Sequence, residues 1–369
     1  MFDWNMDGHN YGIIMAGGGG TMFWPLSRRN RPQQFLGFAR DGKSFLRETY
    51  ERLLGVIPQE NILVVTLERL RENVLREIPE LAEDNLLLEP YARNTAPCIA
   101  YAAYSLLKRD PQAVMAVIPA DSLVDDEAAY RSTLTEALDY ATSHDALITL
   151  GIVPDRPDTN FGYIQVVGGR KAWEQTRPVK VKTFTEKPDR ELAEVFLRSG
   201  EFLWNAGIFV WKAQTIRGEL EKYVPSVTDL FKGWEEALGS PDERRFLEKA
   251  YMNMDRISID YGVMENTDID WIFPAVFHWA DISNWDAAYK HLVHTDADGN
   301  AVRAGRSLLL GSRNCIMSTD KKGKLLAVSG LEDYLVIDTD DVLMICPRDE
   351  HRIKDITTHI GLPDYEEYR

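Results

Sequence analysis

The sequence contains little cysteine, no long apolar run and no excess of positive charge. Its 369 residues include only Cys98, Cys315 and Cys346, which form neither a CxxC pair nor an even disulfide framework. Such sparse cysteine usage is typical of a reducing compartment. No run of about 18 apolar residues could span a membrane, and the polar segment Met1–Asn10 lacks the apolar stretch of a signal peptide. Together these absences predict a cytoplasmic protein.

The charge balance limits the class of partner. A formal net charge of −16 argues against nucleic acid and against an anionic membrane surface. It does not exclude a small anionic substrate, because the local charge around a site matters more than the sum. One basic stretch interrupts the acidic sequence, and it contains Arg28, Arg29, Arg31, Arg40 and Lys43. On the sequence alone, a solvated surface and an anion-binding surface both fit this stretch.

Two kinds of catalytic pattern are missing. The nearest cluster among the seven histidines is His278, His291 and His294, and neither H-E-x-x-H nor a Cys/His spacing surrounds it. We therefore expect these histidines to be structural or exposed. The sequence also has no G-x-S-x-G element, so it gives no support to a serine hydrolase of that type.

Short apolar runs alternate with amphipathic stretches through the first 150 residues or so. The predicted strands are Tyr11–Ala16, Asn61–Thr66, Asn85–Glu89, Ala113–Ile118 and Ala146–Val153, and the predicted helices are Ser44–Ile57, Thr95–Arg109 and Glu127–His144. This alternation predicts an α/β fold with a doubly wound, mostly parallel sheet. Ligands of such sheets bind at the carboxyl ends of the strands.

The second half of the chain has a different texture. Strand-like and helical stretches mix from residue 161, and helical patterns dominate from Ala213 to Asn253. After about residue 294 the pattern consists of short β runs, which are Ser307–Leu310, Leu325–Val328, Tyr334–Asp338 and Val342–Cys346. We therefore predict an α/β domain over residues 1–290 and a small β-rich C-terminal unit over residues 291–369. The runs are too irregular to predict a repeat.

A glycine-rich loop follows the first predicted strand, with Gly17, Gly18, Gly19 and Gly20 before Thr21. Consecutive glycines let the backbone approach a ligand and direct several N–H groups at one anion. The loop matches neither the G-x-G-x-x-G dinucleotide fingerprint nor a Walker A motif. It suits a nucleotide phosphate, and a flexible turn is the alternative.

Two aspartates end apolar strands, Asp121 in the stretch PAD and Asp281 in the stretch WAD. Carboxylates in this position could hold Mg²⁺ beside phosphates. For Asp121 the alternative is a helix N-cap or a turn aspartate, and for the second stretch it is helix capping by Asp281 or Ser283.

Two further positions carry unusual residue types. Lys187 precedes Pro188, which favours an extended backbone at the lysine, and a lysine held in this way could contact a phosphate. The alternative is an exposed loop lysine. Asn205 and Gly207 interrupt an apolar strand, which indicates an amide that binds a polar ligand or, alternatively, a β-bulge.

In this order the motifs resemble those of mannose-1-phosphate guanylyltransferases, also called GDP-mannose pyrophosphorylases. The resemblance extends from Tyr11 to about Ile360, and ten matching stretches in family order are highly specific. The stretches are Ala16–Arg28, Pro32–Leu36, Glu89–Pro97, Pro119–Ser122, Thr159–Ile164, Thr185–Pro188, Trp204–Phe209, Ser258–Glu265, Trp279–Trp285 and Asp338–Cys346.

The resemblance implies a reaction in which GTP and mannose 1-phosphate give GDP-mannose and pyrophosphate, with Mg²⁺ present. The protein contributes positioning and charge neutralisation to such an in-line attack on the α-phosphorus. By resemblance, the nucleotide binds to Gly17, Gly18, Gly19, Gly20 and Thr21, and its base or ribose contacts Arg93, Asn94 and Thr95. Asp121 and Asp281 are expected to hold the metal. The sugar is expected to bind to Gly162, Glu186 and Asn205, and its phosphate to Lys187. Asp121, Asp281 and Lys187 are the residues to which catalysis is assigned.

The resemblance also implies an organisation. The active site lies on the α/β nucleotide-binding domain, and the C-terminal β unit serves packing or assembly, with a homodimer as the expected state. Some relatives carry an added phosphomannose isomerase domain. The sequence lacks the histidine-rich metal site of that domain, so we expect a monofunctional enzyme.

Two positions depart from the family pattern. Met22 stands where the family has arginine, and Gln33 stands where it has lysine. Methionine cannot donate to a phosphate and glutamine carries no charge, so both cations expected near the triphosphate are lost. The nearby Arg28, Arg29 and Arg31 could compensate. Three functions therefore stay open: an active guanylyltransferase, a regulatory paralogue that binds nucleotide sugars with little turnover, and an enzyme for another sugar 1-phosphate.

Overall fold

The computed structural model describes residues 8–20, 23–37, 42–275, 277–282, 284–292, 295–321 and 323–369. The chain divides into two compact units. The first contains Met1–Gly17, Thr49–Ala120 and Val124–Trp279, and the second contains Gly18–Glu48, Asp121–Leu123 and Ala280–Arg369. The second unit thus includes segments from the first third of the chain. The boundary near residue 290 that the sequence suggests stays a prediction.

A nine-stranded mixed sheet forms the centre of the first unit. The strands up to the end of this unit are β1 Asn10–Met15, β2 Ile62–Leu67, β3 Leu86–Glu89, β4 Val114–Pro119, β5 Ser122–Val124, β6 Leu147–Ile152, β7 Tyr163–Val166, β8 Val179–Thr185, β9 Phe202–Lys212, β10 Asp270–Pro274 and β11 Trp279–Asp281. The order in the large sheet is β3-β2-β1-β4-β9-β6-β10-β8-β7, and β5 and β11 form a separate pair. Strands β8 and β9 run against the other seven.

Helices cover the sheet on both faces, as the βα alternation predicts. They are α1 Phe45–Leu53, α2 Arg71–Glu77, α3 Thr95–Arg109, α4 Glu127–Ser143, α5 Gly169–Gln175, α6 Arg190–Ser199, α7 Ala213–Tyr223, α8 Pro225–Thr228, α9 Trp234–Ala237 and α10 Glu243–Met252. Local signals set several of their ends. Asp126 caps α4 by accepting from the Ala129 N–H, Asp189 caps α6 in the same way, and Gly200 ends α6 with a φ of +66°.

The core of the first unit lies between the sheet and α3. Ala100, Ala102 and Ala103 of α3 are at most 1% exposed, and their small side chains let the helix lie close to the strands. Ile13 and Val117 from the central strands are fully buried in the same cluster. This rigid sheet determines where the loops at its carboxyl edge begin. The predicted α/β fold is confirmed.

The second unit contains a stack of short strands. They are β12 Ala301–Arg303, β13 Arg306–Leu310, β14 Ile316–Thr319, β15 Leu325–Ser329, β16 Tyr334–Asp338 and β17 Leu343–Pro347, and the helices of this unit are α11 Trp285–Leu292 and α12 Glu350–Ile360. Strands β12, β14 and β16 stack in parallel, as do β13 and β15, while β17 closes the stack antiparallel to β16.

The predicted β-rich C-terminal unit is confirmed, but its regularity was not predicted. Successive turns of the chain lie in register, with Ile316 beside both Ala301 and Leu335. The connecting turns differ in length and sequence, so the repeat has no clear period along the chain. Within the described ranges, no helix has the length and apolar character needed to cross a bilayer.

Candidate active site

The glycine loop begins where β1 ends. The Ala16 carbonyl accepts a hydrogen bond from Thr66 Oγ1 at 2.9 Å, which holds the strand end in place. The next glycines differ in what surrounds them. Among the described residues, a side chain added at Gly18 or Gly19 would meet nothing within 4 Å. Thr21 and Met22, which the sequence assigns to this loop, lie outside the described residues.

In the second unit, the backbone at Gly20 lies so close to the backbone at Gln33 that there is no room for a side chain. The φ of Gly20 is +51°, and an added Cβ would lie 2.6 Å from the Gln33 backbone nitrogen. Gln33 is itself buried, and its Nε2 donates to Asp121 Oδ2 at 2.5 Å. The position at which the family carries lysine therefore lies directly against the first candidate metal ligand.

Asp121 is a buried carboxylate whose neighbour is neutral. Burial raises its pKa above the usual range, and the Gln33 hydrogen bond offsets this only in part. No ion pair to Asp121 is found among the residues that the structure describes. Asp121 lies in a turn between β4 and β5, as the turn-aspartate alternative expects, whereas Asp126 caps the following helix, so the N-cap alternative for Asp121 is wrong.

Asp281 is the last residue of β11. The Asn284 side chain caps the next helix by accepting from the Ala287 N–H at 2.9 Å, so Asp281 is not that cap; Ser283 lies outside the described residues. Ala280 and Ile282, on either side of Asp281, pack into the same hydrophobic cluster as Leu123, which follows Asp121 closely. The pairing of β5 with β11 also brings these two chain segments together.

Two arginines of the basic stretch are already paired within the second unit. Arg28 donates to Asp341 Oδ1 at 2.8 Å and to the Pro25 carbonyl, and Arg29 contacts Glu366 at 3.0 Å. Arg31 makes a long contact, 3.5 Å, with the Phe35 carbonyl. Arg40 lies outside the described residues. The pairing of Arg28 and Arg29 makes them poor replacements for the two missing cations.

A buried glutamate faces the start of the glycine loop in the first unit. Glu89, the last residue of β3, is 4% exposed, and its Oε2 lies 3.3 Å from where a Gly17 Cβ would be. Its Oε1 accepts from the Tyr251 hydroxyl at 3.1 Å. Burial raises the pKa of Glu89 to about 8. Sequence reasoning gave Glu89 no role, although an acidic residue that ends an all-leucine strand was a usable signal.

Three predicted nucleotide residues hold the chain around the start of α3. Arg93 donates to the carbonyls of Tyr251 and Met252, at the end of α10. Asn94, with a φ of +73°, caps α3, and Thr95 Oγ1 accepts from the Ile259 N–H at 2.9 Å. The structure therefore gives these residues structural contacts, and their role toward a nucleotide stays a prediction.

Three predicted sugar residues meet in one cluster. Gly162 precedes β7, Glu186 follows β8, and Asn205 lies in β9. An added Cβ at Gly162 would lie 2.5 Å from Glu186 Oε2 and 3.3 Å from the Asn205 Cβ. Burial raises the pKa of Glu186, although the adjacent Lys187 lowers it. Any side chain at position 162 would displace the carboxylate.

Hydrogen bonds fix the Asn205 amide on several sides. Its Oδ1 accepts from Thr149 Oγ1 at 2.8 Å and from the Gly207 N–H at 3.1 Å, and its Nδ2 donates to Asp260 Oδ1 at 2.9 Å. The register between β6 and β9 shifts here, so Asn205 lies at a bulge. The alternative of a β-bulge is therefore confirmed, and the binding of a polar ligand by the amide stays a prediction. Sequence reasoning missed Asp260, even though it lies within a matching stretch.

Lys187 adopts an unexpected backbone conformation. Its φ is +48°, in the left-handed region, so the prediction of an extended backbone is wrong. This conformation costs a non-glycine residue about 1–2 kcal/mol, and the Glu186 N–H, which donates to Glu265 Oε1 at 2.9 Å, helps to hold the turn. The Lys187 Nζ lies 3.4 Å from Glu186 Oε1, and the lysine side chain is 57% exposed. Its ammonium group is therefore accessible beside the sugar cluster.

Two family models match the chain. The nucleotidyl transferase model matches residues 11–297, and a mannose-phosphate isomerase/GMP-like β-helix domain model matches residues 305–359. The second match agrees with the parallel stack of the C-terminal strands.

Curated relatives and a solved structure match nearly the whole chain. The mannose-1-phosphate guanylyltransferase of Escherichia coli K12 is 35% identical and covers 97% of this chain, which spans 75% of that protein. The mannose-1-phosphate guanylyltransferase ManC of Salmonella typhimurium LT2 is 35% identical over 94% of this chain and 71% of its own length. A crystal structure from Thermus thermophilus, described as a mannose-1-phosphate geranyltransferase, superposes with a TM-score of 0.83 at 30% identity, covering 96% of this chain and 100% of its own.

We predict that Gly162→Ala damages the site without unfolding the protein. The new Cβ would push the Glu186 carboxylate aside, and a flexible side chain can move at little cost to stability. A displacement of about 1 Å at a substrate-positioning group can cost about a hundredfold in rate. We expect kcat/KM for mannose 1-phosphate to fall at least about tenfold, with a thermal midpoint close to that of the unchanged protein.

Gly218→Ala is the matched control, because a Cβ at Gly218, in α7, meets nothing within 4 Å. This variant should retain full kcat/KM. Equal activity in the two variants would show that Gly162 does not border the sugar position.

Proposed function

Because this chain belongs to the nucleotidyl transferase family, and within it to the mannose-1-phosphate guanylyltransferases, we propose that it joins GTP and mannose 1-phosphate to form GDP-mannose and pyrophosphate. The observation that carries the proposal is the convergence of Gly162, Glu186 and Asn205. These residues come from three separate segments of the chain, and the family resemblance assigns each of them to the sugar.

The reaction requires one bond to form and one to break. A phosphate oxygen of mannose 1-phosphate bonds to the α-phosphorus of GTP, and the bond from that phosphorus to the bridging oxygen breaks as pyrophosphate departs. Most of the catalytic work is to bring two anions together. Lys187 is suited to neutralise the sugar phosphate, because its ammonium is accessible beside the sugar cluster.

We propose Asp121 and Asp281 as the residues that would hold Mg²⁺. Two carboxylates supply the oxygen ligands that this cation prefers. The fit is supported by the burial of Asp121, whose raised pKa reflects a carboxylate that lacks a cationic neighbour among the described residues. When bound, the cation would neutralise charge on the phosphates. Their convergence on one ion remains part of the proposal.

A homodimer is a further part of the proposal. Leu308, Leu310 and Leu343 on the C-terminal strands are between 49% and 61% exposed, which is unusual for leucine and favours assembly through this unit. A reducing compartment is supported by Cys98, Cys315 and Cys346, which are all buried free thiols.

Glu89 is our candidate for reading the base. Guanine presents two donors side by side, N1–H and the N2 amino group, and an ionised carboxylate accepts both. Glu89 lies at the carboxyl end of a parallel strand and borders the first glycine of the loop. A carboxylate in this position would favour guanine over adenine, whose edge alternates an acceptor with a donor.

Gln33 supports the idea that native turnover is reduced. The structure places its amide on Asp121, where the family's lysine would form an ion pair with the same carboxylate. Burial raises the pKa of Asp121, and the neutral Gln33 amide offsets this effect less than a cation in its place would. The loss therefore concerns both the charge near the phosphates and the charge state of a proposed metal ligand.

The direct test of the function is a turnover screen with Mg²⁺ present. Pyrophosphate release should be fastest with GTP and mannose 1-phosphate among a panel of nucleoside triphosphates and sugar 1-phosphates. Faster release with fucose, glucose or heptose 1-phosphate would transfer the assignment to that sugar. Binding of GDP-mannose without release would favour the regulatory paralogue.

Restoring the two cations should raise the rate. Removal of one preorganised donor typically costs about 10²–10³ in rate, and two such effects need not multiply. We expect Met22→Arg with Gln33→Lys to increase kcat by at least about tenfold. The single changes serve as controls, since Gln33→Lys alone acts through Asp121. If native turnover equals that of related enzymes and the double change leaves it unimproved, other cations already fill the role.

Glu89→Gln should weaken GTP binding and remove its pH dependence. Below a pKa of about 8 the Glu89 carboxyl is mostly protonated, so binding guanine through the carboxylate requires loss of a proton. The KM for GTP should therefore fall as the pH rises from 6.5 to 8. Glutamine presents one donor toward the two guanine donors, so we expect a KM raised at least about tenfold and independent of pH.

Inosine triphosphate provides the control for this variant, because it lacks the N2 amino group. The unchanged enzyme should prefer GTP over inosine triphosphate, and Glu89→Gln should lose most of that preference. An unaltered preference would mean that another group reads the base.

A further inference from the structure

The Asn205 amide has one unused hydrogen-bonding group. An amide oxygen has two lone pairs and an amide nitrogen has two hydrogens. Thr149 and the Gly207 N–H occupy both acceptor positions of Oδ1, and Asp260 takes one hydrogen of Nδ2. The Thr149 hydroxyl could also accept, but the Gly207 N–H can only donate, so a rotated amide would direct its own N–H at that donor. Asn205 can therefore offer a ligand only a single N–H.

A hydroxyl group would satisfy this donor and its neighbour together. Because Gly162 has no side chain, Glu186 Oε2 and Asn205 can both lie close to its backbone and to each other. A ligand hydroxyl beside these two side chains could accept from Asn205 and donate to the Glu186 carboxylate. The direction of the Asn205 amide thus decides whether a sugar hydroxyl finds one donor and one acceptor or two acceptors.

Asp260 is held rigidly behind Asn205. It begins a short π-helical turn, Asp260–Met264, on a segment that α3 anchors. The Ile259 N–H donates to Thr95 Oγ1 at 2.9 Å, and the Ala96 N–H donates to the Ile257 carbonyl at 3.1 Å. These contacts place the carboxyl group where it accepts from Asn205, and they link it to the matched stretch that begins at Glu89.

The charges that face Asp260 come from several elements. The segment after β8 contributes Glu186 and Lys187, and the π-helical turn is followed by Glu265, which accepts from the Glu186 N–H. Helix α7 also packs on this turn, where its Glu219 accepts from Thr267. The surroundings of Asp260 therefore contain more negative than positive charge. A dianionic ligand at Lys187 would add to this excess.

Resting on the proposed function, we propose that Asp260 is a positioning residue that holds Asn205 as a donor to a hydroxyl of the sugar 1-phosphate, and that its neutral form favours binding of that dianion. A protonated carboxyl group can still accept from Asn205 through its carbonyl oxygen, so the donor stays aligned. Loss of the proton keeps the hydrogen bond but adds a negative charge near the phosphate.

The direction of the titration agrees with this geometry. Burial raises the pKa of Asp260 to about 7, with a further contribution from the nearby Glu186, while Lys187 lowers it. Below that value the group is mostly neutral, and above it the group is mostly ionised. Binding of an anion should therefore weaken as the pH rises through 7, which is opposite to the dependence that Glu89 imposes on GTP.

Two variants separate the hydrogen bond from the charge. Asp260→Asn keeps an acceptor for Asn205 and removes the titration, whereas Asp260→Leu removes the acceptor. Steady-state kinetics with GTP and mannose 1-phosphate should be measured from pH 6.5 to 8.5, with KM for each substrate and kcat obtained separately. The second ionisation of the sugar phosphate itself lies near pH 6 and affects every variant equally. The ratio of the KM of the unchanged enzyme to the KM of Asp260→Asn at each pH therefore reports the ionisation of Asp260 alone.

We expect the KM of the unchanged enzyme for mannose 1-phosphate to rise by about threefold or more between pH 7 and 8.5, as expected for one added charge near the phosphate. Asp260→Asn should keep a low KM for mannose 1-phosphate over the whole pH range, without the rise above pH 7. Asp260→Leu should raise this KM at every pH by about tenfold, the typical effect of a lost buried hydrogen bond, with little change in KM for GTP.

An Asp260→Asn variant with the pH dependence of the unchanged enzyme would overturn the role of the charge. A KM for mannose 1-phosphate unaltered in a folded Asp260→Leu variant, judged by its thermal midpoint, would overturn the positioning role. Both outcomes differ from failure of the proposed function, in which the unchanged enzyme itself forms no GDP-mannose.

Discussion

Burial of carboxyl groups is the constraint on which this site depends. Glu89, Asp121, Glu186 and Asp260 are each withdrawn from water, and in each case desolvation is the largest cause of a raised pKa. A fully charged carboxylate would repel a phosphorylated substrate bound beside it. Because burial favours the neutral form, these acidic side chains can form hydrogen bonds while they repel a nearby anion less strongly.

Each buried carboxyl has a different partner, and the partner decides which charge state is useful. Glu89 faces a place suited to a base, where a pair of donors would favour ionisation. Asp260 faces an amide that it can hold in either state, next to an anion that favours neutrality. Asp121 contacts the neutral Gln33 and would be ionised most readily by a cation. The same physical effect therefore supports three different tasks, and sequence motifs alone do not distinguish them.

Much of the fold follows from local sequence. Helix α3 begins at Thr95 and ends at Arg109, as predicted, because an asparagine cap, an apolar face and a basic last turn agree. The parallel stack of the C-terminal unit was not predicted, because its register depends on pairing between distant turns of unequal length and leaves no clear period.

The site was predictable as a set of residues but not as a set of contacts. The grouping of Gly162, Glu186 and Asn205 was anticipated by the resemblance. The contact between Gln33 and Asp121 was not, since it joins residues far apart in the chain. The left-handed conformation of Lys187 also escaped prediction. A proline that follows a residue favours an extended backbone locally, and here the surrounding contacts outweigh that preference.

The bulge in β9 shows why local alternatives should not be treated as exclusive. A regular strand would place the Gly207 N–H in the ladder with β6. The register shift between Thr149 and Gly151 removes it from the ladder, and Gly207, with a φ of +67°, can turn its N–H back onto Asn205. Glycine is needed because a side chain would resist this conformation. The irregular backbone therefore creates the second donor that orients the amide. In a regular strand the Asn205 amide would keep its contacts with Thr149 and Asp260 but would lose the N–H that can only donate, so its direction would be fixed less strictly.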